Sequence, residues 1–475
     1  MSTGNADAYA NSAAVALAAG DPATGLSEAS AGLALDPTHP QCRINAAMAL
    51  QQQGKLLDAL RVYRQLLADH QLDGPVLPNL AQLQLSLGRP ADALNVLDLA
   101  LGLRDGSEQA DVHFQRGLCF TALGQVQQAI QAYRAAVAAD PQHPTSHNNL
   151  GLLLQESGEP QSAFAAYRAA LQASPTYSHP AYNLGSLLLD QGLPDQAETF
   201  LRHALLCKPD YPSAAWALAL CCLVREQFAE GWQLYEQRFA IQPPIPLNGR
   251  PAGPRWNLSE ASPPALLVIS EQGLGDTLQF LRYVPSLAAR WPNTHLTVAV
   301  QRPLLELCHE ALPKTIDVVE VSSGLPNDPE LPWIPLLSLP LLLGLRTTSE
   351  LAVSMPYFTV PEPRLDSWAL RIRQASGFKL ALNWQGNPSA ERRNLAGRSL
   401  PLETLAPLME LPGLTLVSVQ KGAAAVQRLQ CSFADRFIAC QEAIDATMDF
   451  LDIAAILRCC DPVSYTHLRA HETLR

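Results

Sequence analysis

The first half of the chain repeats one arrangement of apolar and polar positions. The frame restarts every 34 residues from Pro141 to Pro175 to Pro209. One unit reads Leu150-Gly151, Ala163, Tyr167 and Pro175, and the next reads Leu184-Gly185, Ala197, Leu201 and Pro209. Helical spacing holds on both sides of a short break, so each unit predicts a helix, a turn and a second helix. Small residues are needed where the two helices approach closely. Gly158 and Gly192 end the first helix of their units, and Asp140-Pro141 or Lys208-Pro209 ends the second. Units on this reading begin near Ala6, Pro40, Gly74, Ala110, Pro144, Ser178 and Pro212.

This is the tetratricopeptide period, which predicts an α solenoid over residues 1–240. In such a stack the first helices share one face, and residues one period apart lie side by side on it. Position six carries Asn45, Asn79, Asn149 and Asn183, with Gln115 and Ala217 in two other units. A primary amide offers two donors and one acceptor, so a row of them can pair with the main chain of an extended peptide. The alternative is that each Asn merely caps or solvates its helix. The run Asn148 to Gly151 resembles the repeats of protein O-GlcNAc transferases, and that resemblance implies a groove for a protein or peptide.

After Phe239 the pattern stops, and residues 241–264 hold seven prolines and an isolated Arg255-Trp256. This predicts a linker with an anchor. Beyond it the grammar becomes α/β. Ala265 to Ser270 predicts a strand, followed by the loop EQGLGDT, a helix from Leu278 to Arg290 and a strand from Leu296 to Val300. A helix at Pro303 to Ala311 and strands at Ile316 to Val321 and Trp333 to Leu337 continue the alternation. A second start follows, with a strand at Lys379 to Trp384, the loop QGNPSAERRNLAGRS, a helix from Leu402 to Glu410 and a strand from Leu414 to Gln420. A short strand at Arg436 to Ala439 and a helix from Asp449 to Arg458 complete it. Parallel sheets flanked by helices are expected, as two Rossmann-like halves over 265–365 and 366–461 with a cleft between them.

The loop Glu271 to Thr277 is the place to look for chemistry. Gly273 and Gly275 are read as the residues that let the chain turn tightly, and Asp276 falls at the start of the following helix. The pattern lacks the third glycine of a dinucleotide fingerprint, and a carboxylate there competes with phosphate for the helix N–H groups. Asp276 is therefore either a helix cap or a general base, and spacing leaves both roles open.

Composition narrows the partners. A net charge of −11 with no basic run argues against nucleic acid. The opening residues lack a signal-peptide pattern, and the longest apolar stretch, Ile334 to Leu345, is short and interrupted by prolines. No membrane span is expected, and a cytoplasmic location is. Ten cysteines without a C-x-x-C spacing suggest buried thiols and no metal site.

From Pro264 to Gly422 the chain resembles glycosyltransferase family 9, which includes the ADP-heptose:lipopolysaccharide heptosyltransferases. The segments that carry this are EQGLGDTLQFLRYVPSLAAR, PLLSLPLLLG, LALNWQGNPSAERRNLAGRSLPLETLAPL and LVSVQKG. The resemblance implies the two-domain GT-B fold, a nucleotide-sugar donor as substrate, inversion at the anomeric carbon, and no metal or other cofactor. It implies that Asp276 deprotonates the acceptor, that Arg398 contacts the donor phosphates, and that Asn387 lies in the donor loop. Arg398 also reads as a plain solvated arginine. After Asp461 the resemblance stops, so the second half is expected to be incomplete. Residues 462–475 resemble a translated sequencing adapter and are read as a non-native tail. His467 and His471 lie four apart in it, without a third ligand beside them. The expectation is thus a repeat protein whose full-length parent transfers a sugar to an acceptor presented by the repeats, with this fragment inactive. The alternatives are a non-catalytic interaction scaffold and a scaffold regulated by nucleotide.

Overall fold

The computed structural model describes residues 3–71, 75–103, 106, 108–256, 261–351, 358–385, 399–447 and 449–461. It divides into two compact units, Met1–Leu187 and Leu188–Arg475. The residues 386–398 and 462–475 lie outside the described part, and with them Asn387, Arg398, His467 and His471.

The first unit is a series of helical hairpins. Its helices are α1 (Thr3–Ala18), α2 (Pro22–Leu35), α3 (Pro40–Gln52), α4 (Leu56–Ala68), α5 (Val76–Ser86), α6 (Pro90–Gly102), α7 (Glu108–Ala122), α8 (Val126–Ala139), α9 (Pro144–Glu156) and α10 (Pro160–Ala173). The division into units falls inside α11 (Ser178–Asp190). From α3 to α10 each hairpin meets through a small residue on its first helix and a large one on its second. Ala47, Ala81, Gly117 and Gly151 occupy the first place, and Tyr63, Leu97, Tyr133 and Tyr167, all fully buried, occupy the second sixteen positions later. The fit is tight enough that a Cβ built on Gly151 would stand 2.6 Å from Tyr167 Cε1. That is why the sequence keeps glycine here, opposite the bulkiest side chain of the pair.

The turns inside the hairpins share one device. Gly20, Gly54, Gly88, Gly124 and Gly158 all have φ between 69° and 80°, the left-handed value that closes a helix C-terminus cheaply only for glycine. The second helix then begins with proline at its first position in α2, α6 and α10, where the missing N–H has no intrahelical partner to lose.

The second unit opens with α12 (Pro194–Cys207), α13 (Pro212–Val224) and α14 (Phe228–Tyr235), followed by one 3-10 turn at Glu236–Phe239. In the α13–α14 turn the left-handed place is taken by Glu226 at φ 60°, whose carboxylate accepts from Thr348 Oγ1 at 3.1 Å. Then come β1 (Ala265–Ile269), α15 (Leu274–Leu281), α16 (Val284–Arg290), β2 (His295–Val300), α17 (Leu305–Ala311), β3 (Asp317–Glu320), β4 (Trp333–Pro335) and α18 (Leu339–Leu343). The four strands form a parallel sheet in the order β3-β2-β1-β4. A second parallel pair joins β5 (Phe378–Leu382) to β6 (Leu414–Ser418).

Arg255 and Trp256 lie along β4, Arg255 forming an isolated parallel bridge with Trp333. Trp256 donates its N–H to Trp333 O at 2.7 Å and Trp333 returns one to Pro254 O at 3.0 Å, so this segment covers the outer edge of β4. Hydrogen bonding the edge removes a row of groups that would otherwise need water or a neighbour.

Four elements differ from the sequence expectation. The helix expected from Leu278 to Arg290 begins earlier and breaks into α15 and α16, with Pro285 in the first turn of the latter. Leu402–Glu410 is a 3-10 helix containing Pro407, which has no N–H for an α-helical bond. Trp333 to Leu337 is strand only to Pro335 and then winds into a 3-10 turn. Arg436 to Ala439 forms no strand; Phe437 makes an isolated bridge with Leu416.

Candidate functional site

Two places concentrate the residues singled out by sequence. The first is the face made by α3, α5, α7, α9 and α11, the first helices of successive repeats. Asn45, Asn79, Asn149 and Asn183 all lie there, but they are not equivalent. Asn45 is 2% exposed and donates through Nδ2 to Ala10 O at 2.8 Å, so its amide ties one repeat to the one before it. Asn183 donates to Asn148 Oδ1 at 2.9 Å, and Asn149 reaches Tyr133 OH at 3.5 Å while accepting from Asn148 at 3.2 Å. These amides staple neighbouring helices, which identity at a repeat position cannot reveal. Asn79 sits opposite Tyr63, whose hydroxyl burial pushes well above the ordinary tyrosine range.

Between α5 and α7 this face opens into a pocket of about 230 Å³ lined by Gln82, Leu85, Asp111, Phe114, Gln115 and Leu118 among others. Gln115 occupies position six of its repeat. Sequence spacing places these side chains on one face; only the packing leaves a cavity among them.

The second place is the loop after β1. Here the glycines do not make the turn expected of them. The left-handed residue is Gln272, at φ 60°, whereas Gly273 is extended with φ −88° and ψ 172° and Gly275 lies within the first turn of α15. The tight turn is thus made by Gln272, and the two glycines leave the backbone uncovered: a Cβ on Gly275 would meet nothing within 4 Å. Asp276 is the third residue of α15, not its cap residue. Its Oδ2 accepts from Gly273 N–H at 2.9 Å, which forms one half of a capping box because Gly273 has no side chain to complete it. Thr277 beside it is buried and donates to Gln301 Oε1 at 2.9 Å.

What holds this loop was not evident from sequence. Glu271, fully buried, receives both ends of the equally buried Arg238 guanidinium, from Nε at 3.0 Å and Nη2 at 2.8 Å. Arg238 also donates to Ser338 Oγ at 2.8 Å, Glu236 Oε1 at 2.7 Å and Tyr235 O at 3.0 Å, and lies over the rings of Tyr235 and Phe239. Arg255 reaches the other oxygen of Glu236. Gln272 Nε2 donates to Tyr235 OH at 3.2 Å, a contact that favours its strained backbone. Burial alone would lower the basicity of Arg238, but Glu271 and Glu236 outweigh it and keep the guanidinium charged. The signal available in the sequence was a charged Glu271 two residues past the end of an all-apolar strand, without any hint of its partner.

Among the described residues no cluster of three His, Cys, Asp or Glu side chains could hold a metal, and no helix is long and apolar enough to cross a membrane. The ten cysteines are free thiols, and burial pushes Cys221 up to about 12 and Cys222 and Cys119 up to about 11, so these three are poor nucleophiles.

Comparison with known proteins bears on the repeats. Tetratricopeptide-repeat patterns match residues 44–108, 79–144, 114–178 and 154–221. The chain is 27% identical over 266 residues to protein FlbA of Caulobacter vibrioides, which covers 52% of this chain and 44% of FlbA, so the chain spans less than half the length of that relative. Solved structures that resemble it include PilW, a type IV pilus biogenesis factor, at 17% identity and TM-score 0.41 over 45% of this chain and 98% of that one. PilF of Pseudomonas aeruginosa gives 19% and 0.40 over 44% and 95%, and MamA gives 23% and 0.31 over 34% and 94%. The N-terminal region is a tetratricopeptide solenoid, and the C-terminal region carries a small parallel sheet.

Proposed function

We propose that this protein is a binding scaffold whose repeats hold an extended segment of another protein on the face of their first helices. The observation that carries this is the pocket between α5 and α7, a part-apolar site on the face of the first helices. Repeat stacks bury their hairpin cores internally and leave the first-helix face for partners. The test is selection of a random dodecapeptide display library on the full chain, followed by hydrogen exchange with an enriched peptide bound. Protection of amides in α5, α7 and α9 is expected. Failure to enrich any peptide over bare support, or protection confined to second helices, would overturn the reading.

A second reading concerns the α/β part and rests on the segments that resemble glycosyltransferase family 9. In it, the two parallel sheets belong to GT-B halves, a nucleotide sugar is the donor, and the repeats present the acceptor. The arrangement favouring it is a half-buried carboxylate, Asp276, beside exposed glycine backbone at the carboxyl end of β1, where open α/β sheets place their ligands. Asp276 would take the acceptor proton, while Arg398 and Asn387 would serve the donor from outside the described residues. In the longest reading frame that contains this chain, Asp276→Asn should keep nucleotide-sugar affinity and lose about two to four orders of magnitude in transfer. Transfer at the wild-type rate would leave Asp276 a helix-capping residue only.

A further inference from the structure

The pocket between α5 and α7 has a chemistry that points to one kind of occupant. Leu85, Phe114 and Leu118 supply its apolar wall, Gln82 and Gln115 its amides, and Asp111 its charge. At about 230 Å³ it is smaller than the roughly 300 Å³ at which cavities for free small molecules begin. It suits a single side chain entering from an extended segment.

Two further observations define that segment. Gln115 lines the pocket, and its buried Oε1 has no hydrogen-bond partner among the described residues; at the same repeat position Asn45, Asn149 and Asn183 donate to partners within the protein, while Asn79 Nδ2, like Gln115 Oε1, has none among them. A peptide N–H lying along the pocket is the donor that this acceptor lacks. The other observation is charge. Asp111 is 76% exposed and its partner is His143 Nε2 at 3.1 Å, a group that carries charge only when protonated. Arg116 on the same helix is paired with Asp98 at 3.2 Å. Asp111 is the one charged side chain among the residues that line the pocket, and it is an acid.

We infer that this pocket binds a bulky apolar side chain, aromatic or leucine-like, of an extended protein segment that carries a Lys or Arg within two or three residues of it. The inference rests on the reading of the repeats as a protein-binding face and names the partner chemistry of that site. The apolar side chain fills the gap between Leu85 and Leu118, the segment's N–H pairs with Gln115, and its cation lies against Asp111.

The library selection provides the probe. Enriched dodecapeptides should share a bulky apolar residue with Lys or Arg close by, and fluorescence anisotropy of one of them should show affinity falling tenfold or more for Leu118→Glu and about tenfold for Leu118→Ala, the loss of one buried side chain's contact. Asp111→Asn should weaken binding severalfold and flatten its salt dependence. Circular dichroism melts of the variants establish that the repeats stay folded, and Leu118→Ala supplies the test if Leu118→Glu does not. Peptides that protect α5, α7 and α9 yet bind Leu118→Ala as tightly as wild type, or that lack the shared pattern, would overturn the pocket assignment while leaving the scaffold reading intact. Absence of any bound peptide would remove both.

Discussion

At the scale of single residues, the fold depends on pairs of unequal size. Gly151 faces Tyr167 as Gly117 faces Tyr133, and in each case the glycine is what lets the two helices of a hairpin come close enough to bury the ring. A methyl group on Gly151 would stand 2.6 Å from Cε1 of the fully buried Tyr167, so the ring must shift to admit it. Gly151→Ala should therefore lower stability by about 1–3 kcal/mol despite the better helix propensity of alanine, which favours the variant by only about 1 kcal/mol. A urea melt with an unchanged or raised midpoint would show that the ring has room to move. Asn45 teaches a related lesson. The same residue type at the same repeat position is a buried tie between helices at Asn45 and a half-buried one at Asn183, since the neighbour each amide meets differs from repeat to repeat.

At the scale of elements, the glycine loop is held by the helical hairpin α13–α14 and the turn that follows it. Trp232 packs against Phe280 of α15 at 6.1 Å between ring centroids, and both belong to the core that contains β1, β2 and α16. Beside that apolar contact lies the buried Arg238–Glu271 pair. Bringing two charges out of water is costly, and the pair survives because Ser338, Glu236 and the Leu337 N–H satisfy what remains. Removing one partner strands the other. Glu271→Gln should cost about 3–5 kcal/mol in thermal or urea unfolding, while replacing Arg238 and Glu271 together by Met and Leu should recover much of that loss. If the double variant is no better than the single one, the pair contributes more than mutual neutralisation.

At the scale of the whole molecule, the helix Phe450–Arg458 joins two cores of the second unit. Leu451 packs with the core of the four-stranded sheet, whereas Ala455, Ile456 and Cys459 pack with Trp368 and Val417 beside β6. Asp452 on that helix accepts from Trp368 Nε1 at 3.0 Å, Thr447 Oγ1 at 2.9 Å and Arg364 Nη1 at 2.8 Å. Burial works to raise this carboxyl, but the three donors together outweigh it and hold it below the ordinary range. A carboxyl lowered in the folded state stabilises above its unfolded pKa, near 3.9, and that stabilisation is lost as pH falls through the folded value. Asp449, which burial pushes up, contributes the opposite slope, so the comparison must isolate Asp452. Between pH 5 and pH 2.5 the urea midpoint of wild type should fall more steeply than that of Asp452→Asn, which starts lower at pH 7. Parallel curves would mean that Asp452 is not held in its charged form by these contacts.

The sequence by itself determined what depends on local periodicity. The hairpins, their glycine turns, the proline starts and the succession of β1 to β6 along the chain follow from spacing and backbone chemistry, which act within a few residues, whereas the strand expected at Arg436 to Ala439 does not form. The split of α15 from α16 and the 3-10 winding of Leu402–Glu410 were also within reach, since Pro285 and Pro407 stand in the expected helices. Other features were decided only by tertiary structure. Arg238 and Glu271 meet across 33 positions, Gln272 takes the strained turn because Tyr235 is there to bond it, and the cavity beside Gln115 exists because α5 and α7 leave space between them. Such features depend on which distant side chains arrive together, and a repeat pattern is silent on that because it records what neighbouring units share and not where their surroundings differ.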